Sequence, residues 1–451
     1  MRFIFNIIII FFFPVLHAQE NIEVWSLKKC IDYAKANNIS IQQADIQKRA
    51  EQIQLKQILS TKNPTLNISS LQAVQYGKTI DPTTNNFIDI NLITSRFQAS
   101  GSLPLYSFGG IKYSIESEKY NFLLTTLNLE NITSEVSLTV LSYYLKVLMA
   151  QEQIKLIDIE LSKTNLQIDK LKEAIALGAT SELNLYKYKA KLSSDSSNYH
   201  DAKNYLNNSI LTLQGLLNFK TLIEFKVENP LQKNIQRIEI DGYDDYEQVY
   251  TSTLQNSLKL KINVAQNKSY YYKMKSSKAM MYPTISLGYN INSVFSNIIK
   301  DKPFNKWWDG FGDQLNTNFN QIIGFNFNIP VLNSRQFRSN YERDKLAIES
   351  LNFDKLNIEN DLRQKVYSAF SNLQTIKLKL KESIKIKENT QIIYDKMTDY
   401  FRLGGTNVQE IINAQNDLLR VNEVFLKLKI EEYFTIKLLE FYQYGKINYY
   451  Q

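Results

Sequence analysis

The side chains that most often hold metals or serve as nucleophile and base are scarce in this chain. Its 451 residues include two histidines, His17 and His200, and one cysteine, Cys30. Around them there is no metal-ligand spacing, no nucleophile with a matching base and no glycine-rich phosphate loop. No enzyme activity, no metal and no cofactor is therefore expected. Cys30 follows Lys28 and Lys29 rather than the apolar approach of a lipid-anchored cysteine, so it reads as a buried helical thiol. As the single cysteine it also excludes an intramolecular disulfide. The formal charge of +8 is spread without a compact Lys/Arg cluster interleaved with aromatics, which argues against a nucleic-acid partner.

What recurs instead is a pair of long segments. Pro104-Leu105-Tyr106 is echoed by Pro330-Val331-Leu332, and Leu177-Gly178-Ala179-Thr180 by Leu403-Gly404-Gly405-Thr406, both at an offset of 226 residues (104 to 330, 178 to 404). Asn63-Pro64-Thr65-Leu66 returns as Tyr282-Pro283-Thr284-Ile285 at an offset of 219, so the copies differ in length by seven residues within the strand-loop-strand segment. A duplicated fold tolerates that kind of change in a loop.

The elements that carry these motifs are long. Only 14 Gly and 8 Pro are present, and neither type occurs in residues 111–177 or 331–403. Unbroken runs of this length predict continuous helices, from Tyr106 to Leu177 and from Leu332 to Leu403, of about 108 Å at ~1.5 Å per residue. Seven-residue rows support them: Ile115, Phe122, Leu129, Val136, Tyr143, Ala150 and Ile157 form one, and Val140, Val147, Ile154, Leu161, Ile168 and Ile175 a second. Each long helix ends at Leu-Gly, where glycine suits a left-handed C-cap, and a half-length helix returns from Ser181 to Leu217 and from Asn407 to Tyr444. Another helix of matching length is expected from Trp25 to Lys62, stopped by Pro64. Two half-length helices would then stack end to end beside each long one.

At the N-terminus, Arg2 and the apolar run Phe3 to Phe13 predict a secretory signal peptide over residues 1–19. The first structural repeat then covers residues 20–218, an inter-repeat equatorial segment 219–245, the second repeat 246–445 and a short tail 446–451. No second stretch is apolar enough for a membrane-spanning helix.

The strands carry the alternation of a membrane barrel. Ile285, Leu287, Tyr289 and Ile291 alternate with Thr284, Ser286, Gly288 and Asn290, and Ile323, Phe325, Phe327 and Ile329 with Gly324, Asn326 and Asn328. Leu66, Ile68, Phe97, Ala99, Leu103 and Leu105 repeat the pattern in the first copy. Such strands suit either a soluble core or a membrane. Four strands cannot close a barrel, and open edges in lipid leave backbone groups unpaired, so spanning strands require oligomers; three chains supply twelve. The fold class expected is mainly α with membrane β-strands, a duplicated strand pair plus long coiled-coil helices. As a trimer it forms a 12-stranded β-barrel continuous with an α-helical barrel. Trp307-Trp308, between Lys306 and Asp309, suits either a membrane-surface anchor or a loop tip.

From Ile22 to Tyr444 the chain resembles the TolC family of trimeric outer-membrane channels. The resemblance is carried by Trp25-Ser26-Leu27 with Ala34 and Asn37-Asn38, Leu103-Pro104-Leu105-Tyr106 with Gly109-Gly110, Tyr282-Pro283, and Tyr400-Phe401-Arg402-Leu403-Gly404 through Ala414-Gln415. It implies an outer-membrane homotrimer in contact with outer-membrane lipid, with a helical tunnel in the periplasm. Its implied partners are a periplasmic adaptor (membrane fusion) protein and an inner-membrane transporter, in efflux or type I secretion. The resemblance places a periplasmic gate at Glu410, Asn413, Phe401, Thr406 and Asn184. The family's charged lock cannot form here, leaving Glu410 as the acidic ring and packing as the means of closure. Leu177, Gly178, Ala179, Thr180, Leu403, Gly404 and Gly405 match the adaptor-docking tips. The rival reading, an exported coiled-coil adhesin or adaptor-like protein, explains the hairpins but not four symmetrically placed membrane-patterned strands.

Overall fold

The computed structural model describes residues 23–80, 84–89, 91–220, 225–233, 245–299, 302–332 and 334–447. The expected signal peptide, residues 1–19, lies outside the described residues, as do parts of the 219–245 segment and of the tail.

Each half lays down the same series. β1 (Glu23–Trp25), α1 (Leu27–Asn37), α2 (Ile39–Ser60) and β2 (Thr65–Gln75) come first. A small hairpin of β3 (Lys78–Ile80) and β4 (Phe87–Asp89) then leads to β5 (Leu92–Tyr106), α3 (Gly110–Ala176) and α4 (Glu182–Leu217). After β6 (Phe225–Val227) and α5 (Pro230–Lys233), the second half runs α6 (Tyr246–Asn256), α7 (Leu258–Ala279), β7 (Thr284–Ile298), α8 (Phe311–Thr317), β8 (Asn320–Asn328), α9 (Ser334–Arg402) and α10 (Val408–Tyr444). With 67 and 69 residues, α3 and α9 extend about 100 Å each.

The first helical stretch departs from the expected single helix over Trp25 to Lys62. Trp25 ends a strand, and the helix is cut at Asn38, whose ψ of 130° leaves the helical region. Its side-chain oxygen accepts from the N–H groups of Ser40 and Ile41 at 3.0 and 3.4 Å, and its own N–H donates to the Ala34 carbonyl. One asparagine thus closes α1 and caps α2 with no Gly or Pro nearby. Ser257 does the same between α6 and α7, 219 positions further on. The break belongs to the duplicated unit.

β2, β5, β7 and β8 form one antiparallel sheet in that order, and β5–β7 pairing joins the two repeats. The register sets Leu66, Gly101, Tyr289 and Ile323 in one row, and Asn67, Ser100, Asn290 and Ile322 in the next. The sheet therefore has an apolar face, with Ile68, Leu103, Leu287 and Phe325 added, and a face mostly of small and neutral-polar side chains that also carries Ile322. Nearly every residue of β2 and all of β8 are exposed in the single chain.

Next to the sheet the helices lie side by side as α2, α3, α7 and α9; farther away the order is α4, α3, α10 and α9. The stacking expected of the half-length helices is thereby realised. Midway, Trp25, Cys30, Leu141, Tyr144, Leu148, Leu213 and Val227 form the largest buried cluster. There the Tyr144 hydroxyl lies 2.6 Å from the Glu228 carbonyl and 3.1 Å from that of Trp25, fastening the parallel β1–β6 pair to α3. Cys30 is fully buried, and desolvation pushes its thiol pKa up to about 12, as suits an inert core thiol. Trp307 and Trp308 lie in the β7–β8 loop against the strands. Trp307 packs with Phe311 and Leu315 on Ile93 and Phe295, and Trp308 stacks on Phe295 at 5.7 Å. The pair pins the β7–β8 loop to the strands.

Candidate functional site

The two hairpin tips are built by the same backbone bonds. At the first, Gly178 N–H donates to Ile175 (2.9 Å) and Ala179 N–H to Ala174 (2.8 Å); at the second, Gly404 N–H donates to Phe401 (3.0 Å) and Gly405 N–H to Tyr400 (2.7 Å). Both are Schellman caps, with Gly178 and Gly404 at φ +70° and +78°. Gly405 has no positive φ, and a Cβ there would meet the Tyr400 carbonyl at an ordinary 3.5 Å. The turn requires one glycine per tip. Leu177 and Leu403, 84% and 82% exposed, project from the turns.

The side chains after the turns differ. Ser181 caps α4 by accepting from Leu183 N–H, and Asn184 donates to Thr180 Oγ1 at 3.1 Å. At the second tip, Asn407 accepts from Glu410 N–H at 3.1 Å and donates to the Glu410 carboxylate at 3.3 Å, while Thr406 also donates to that carboxylate. Asn407 thus caps α10, and the Asn407 and Thr406 side chains hold the Glu410 carboxylate on the exposed first turn. Asn413 accepts from Gln409 at 3.1 Å. Of the five residues matched to a gate, four bond only within their own hairpin. Phe401 is the exception.

Phe401 packs on two buried clusters at once. One joins Ile168 and Leu171 of α3, Tyr188 of α4 and Val408 and Ile412 of α10; the other joins Tyr394, Ile411, Ala414 and Leu418 of α9 and α10. The two hairpins are thus held together near their tips by apolar packing, with Val408 fully buried between them. No ion pair takes the place of that packing at the gate positions among the described residues.

One turn farther from the tips lies a cluster that sequence reasoning missed. Lys191 of α4 reaches Glu160 of α3 at 3.1 Å, Asp195 at 3.1 Å and Asn416 of α10 at 2.8 Å. Thr164 donates to Asp195 at 3.0 Å and accepts from Gln415 of α10 at 3.3 Å. Glu160, Lys191 and Asp195 are all at most 6% exposed. Burial pushes the Glu160 carboxyl above its ordinary pKa, and the Lys191 ammonium opposes the shift. Tyr188, whose hydroxyl is buried without a hydrogen-bond partner, has its pKa raised by desolvation as well. In sequence these charges look like solvated helix positions. The available signal is their placement: Glu160 and the Lys191–Asp195 pair lie at comparable distances on either side of the Leu177-Gly178 turn, so the hairpin brings opposite charges together.

None of these groups forms a catalytic arrangement, and the described residues contain no cluster that could hold a metal. No helix among them is long and apolar enough to cross a membrane. The chain is a two-faced four-stranded sheet set on a helical wall of about 100 Å. Residues 30–218 match the family model described as Outer membrane efflux protein. The match spans the first repeat, and the second repeats its architecture. The fold is shared across nearly its whole length with solved channels. CmeC of Campylobacter jejuni gives a TM-score of 0.75 at 16% identity, covering 94% of this chain and 87% of that one. VceC of Vibrio cholerae gives 0.75 at 11%, covering 93% and 96%. MtrE of Neisseria gonorrhoeae, in its open state, gives 0.72 at 14%, covering 93% and 88%. No curated protein sequence matches the chain. Its first repeat carries the outer membrane efflux protein signature, and its fold is that of solved outer-membrane channels.

Proposed function

We propose that three copies of this chain close a twelve-stranded barrel and a twelve-helix tunnel, a passive conduit gated at the hairpin tips. The observation that carries this reading is the pair of unpaired edges, β2 and β8, on a sheet with one apolar face. Successive antiparallel pairing makes β8 antiparallel to β2, so neighbouring copies can join edge to edge without reversing a strand. The reading divides the chain at 1–19, 20–218, 219–245, 246–445 and 446–451, as the sequence suggests. The exposed Leu177 and Leu403 support docking of a periplasmic adaptor at the tips, which links the channel to an inner-membrane transporter.

Closure at the tips rests on apolar packing around Phe401 and Val408, with Glu410 as a ring of three carboxylates. Glu410→Gln keeps the Asn407 cap, which accepts from the backbone N–H of residue 410, and removes the charge. In planar bilayers wild-type channels are expected to prefer cations and Glu410→Gln channels to lose most of that preference. An unchanged preference removes Glu410 from the gate.

A further inference from the structure

Lysine and tyrosine rows meet on the outside of the helical wall just below the sheet. Lys261, Lys268 and Lys275 recur every seven residues on α7, and Tyr113 and Tyr120 every seven on α3. The Lys275 ammonium lies 4.4 Å from the Tyr271 ring centre, 5.6 Å from Tyr113 and 6.0 Å from Tyr272. One heptad lower, Lys268 lies 5.4 Å from Tyr120, which stacks on Tyr272 at 5.6 Å. The Tyr271 hydroxyl beside it holds the Lys275 ammonium above the ordinary lysine value. Among the described residues neither Lys268 nor Lys275 meets a carboxylate, although Lys273 on the same helix does, at Asp344.

Two observations place this cage on the outer surface at headgroup depth. Tyr113 and Tyr120 share their seven-residue row with Leu141 and Leu148, which belong to the buried cluster that takes in Trp25 of β1 and Val227 of β6, a strand pair added to the wall helices. Above the cage, Tyr106 pairs with Ile285 of the apolar sheet face, packs on Phe108 at 4.8 Å, and Phe108 stacks on Tyr282 at 5.1 Å. Leu332 is 90% exposed after β8, so the apolar band continues down to the helix ends. Lys275 lies four residues before the end of α7, about 6 Å along the helix. That is the thickness of one headgroup layer, within reach of a snorkelling lysine.

We infer that Lys275, caged by Tyr113, Tyr271 and Tyr272, binds the phosphate of an anionic phospholipid in the periplasm-facing leaflet, one lipid per chain. The tyrosines hold the ammonium by its cation–π contacts and by one hydrogen bond to the Tyr271 hydroxyl, leaving its remaining protons to the phosphate oxygens, and their rings lie against the glycerol region. Lys268 contributes a weaker, longer-range attraction, and Lys261 lies beyond reach.

The inference rests on the outer-membrane channel reading, and native mass spectrometry of the purified trimer separates the two. The trimer is presented with phosphatidylglycerol or phosphatidylcholine in mixed micelles, with and without inorganic phosphate. The expected result is up to three retained phosphatidylglycerol molecules, with retention falling about five-fold in Lys275→Gln, the size of one lysine's attraction to an anionic surface. The loss is smaller in Lys268→Gln and absent in Lys261→Gln, and inorganic phosphate does not displace the lipid. Equal retention of the two lipids, equal loss in Lys275→Gln and Lys261→Gln, or displacement by inorganic phosphate overturns the lipid site while leaving the channel intact. A sample that shows no trimer overturns both.

Discussion

The two hairpin tips share a backbone and differ in chemistry. Both turn on the same pair of cap bonds with one left-handed glycine, 226 residues apart. Beyond the turn, copy one buries Lys191 among Glu160, Asp195 and Asn416, whereas the matching position in copy two, Asp417, sits exposed in a surface pair with Arg420 at 2.8 Å. Copy two instead commits its first turn to the Asn407 cap and the side-chain bond from Asn407 to Glu410. Duplication kept what the turn geometry demands and left the contact between the hairpins free to diverge. Charge went to the hairpin facing α10 from α3 and α4, and the exposed acid to the hairpin read as the gate.

The largest effect that would test this contrast is loss of the buried cation. Lys191→Ala leaves Glu160 and Asp195 buried and unpaired, and is expected to cost about 3–5 kcal/mol, whereas Asp417→Ala, breaking an exposed pair, costs about 0–1 kcal/mol. Equal costs in denaturant unfolding would erase the contrast. The same cluster gives a pH signature. Burial raises the Glu160 pKa in the folded chain, so the folded state holds that proton to higher pH than the unfolded state. Its contribution to stability is fully present below the ordinary glutamate range and is lost as pH rises through the folded value. Glu160→Gln is expected to flatten that decline in unfolding measured across pH.

A smaller effect distinguishes turn from docking edge. Gly404→Val forces a β-branched residue into the left-handed region and is expected to destabilise the tip by about 1–2 kcal/mol. Gly405→Val meets no such demand and is expected to leave trimer melting unchanged while weakening adaptor binding. If both variants melt alike, the second glycine is structural too.

Much of the fold is legible in the sequence because its signals are local and repeated. The breaker-free runs give α3 and α9, Leu-Gly gives the turns, and alternation gives the strand faces. The breaks at Asn38 and Ser257 escape a search for Gly and Pro, because a polar side chain that caps its own backbone interrupts a helix without either. The α8 loop cover depends on Trp307 and Trp308 meeting Phe295, a contact that no short-range pattern encodes. Among site residues, Phe401 lies where hairpin packing needs it, and Glu410 is held by the Asn407 cap and the Thr406 hydroxyl. The Lys191 cluster joins three helices far apart in the chain, and only the folded hairpins turn those ordinary charges into a buried network.

Ring closure by three copies is the claim on which the channel depends, and cysteine pairing tests it directly. Asn67→Cys on β2 is combined in turn with Gly324→Cys, Asn326→Cys and Asn328→Cys on β8, with the buried native Cys30 left in place. After mild oxidation, at least one pair is expected to give a covalent trimer on a non-reducing gel and nothing larger. Monomers in every combination, or a ladder of species beyond the trimer, would contradict closure.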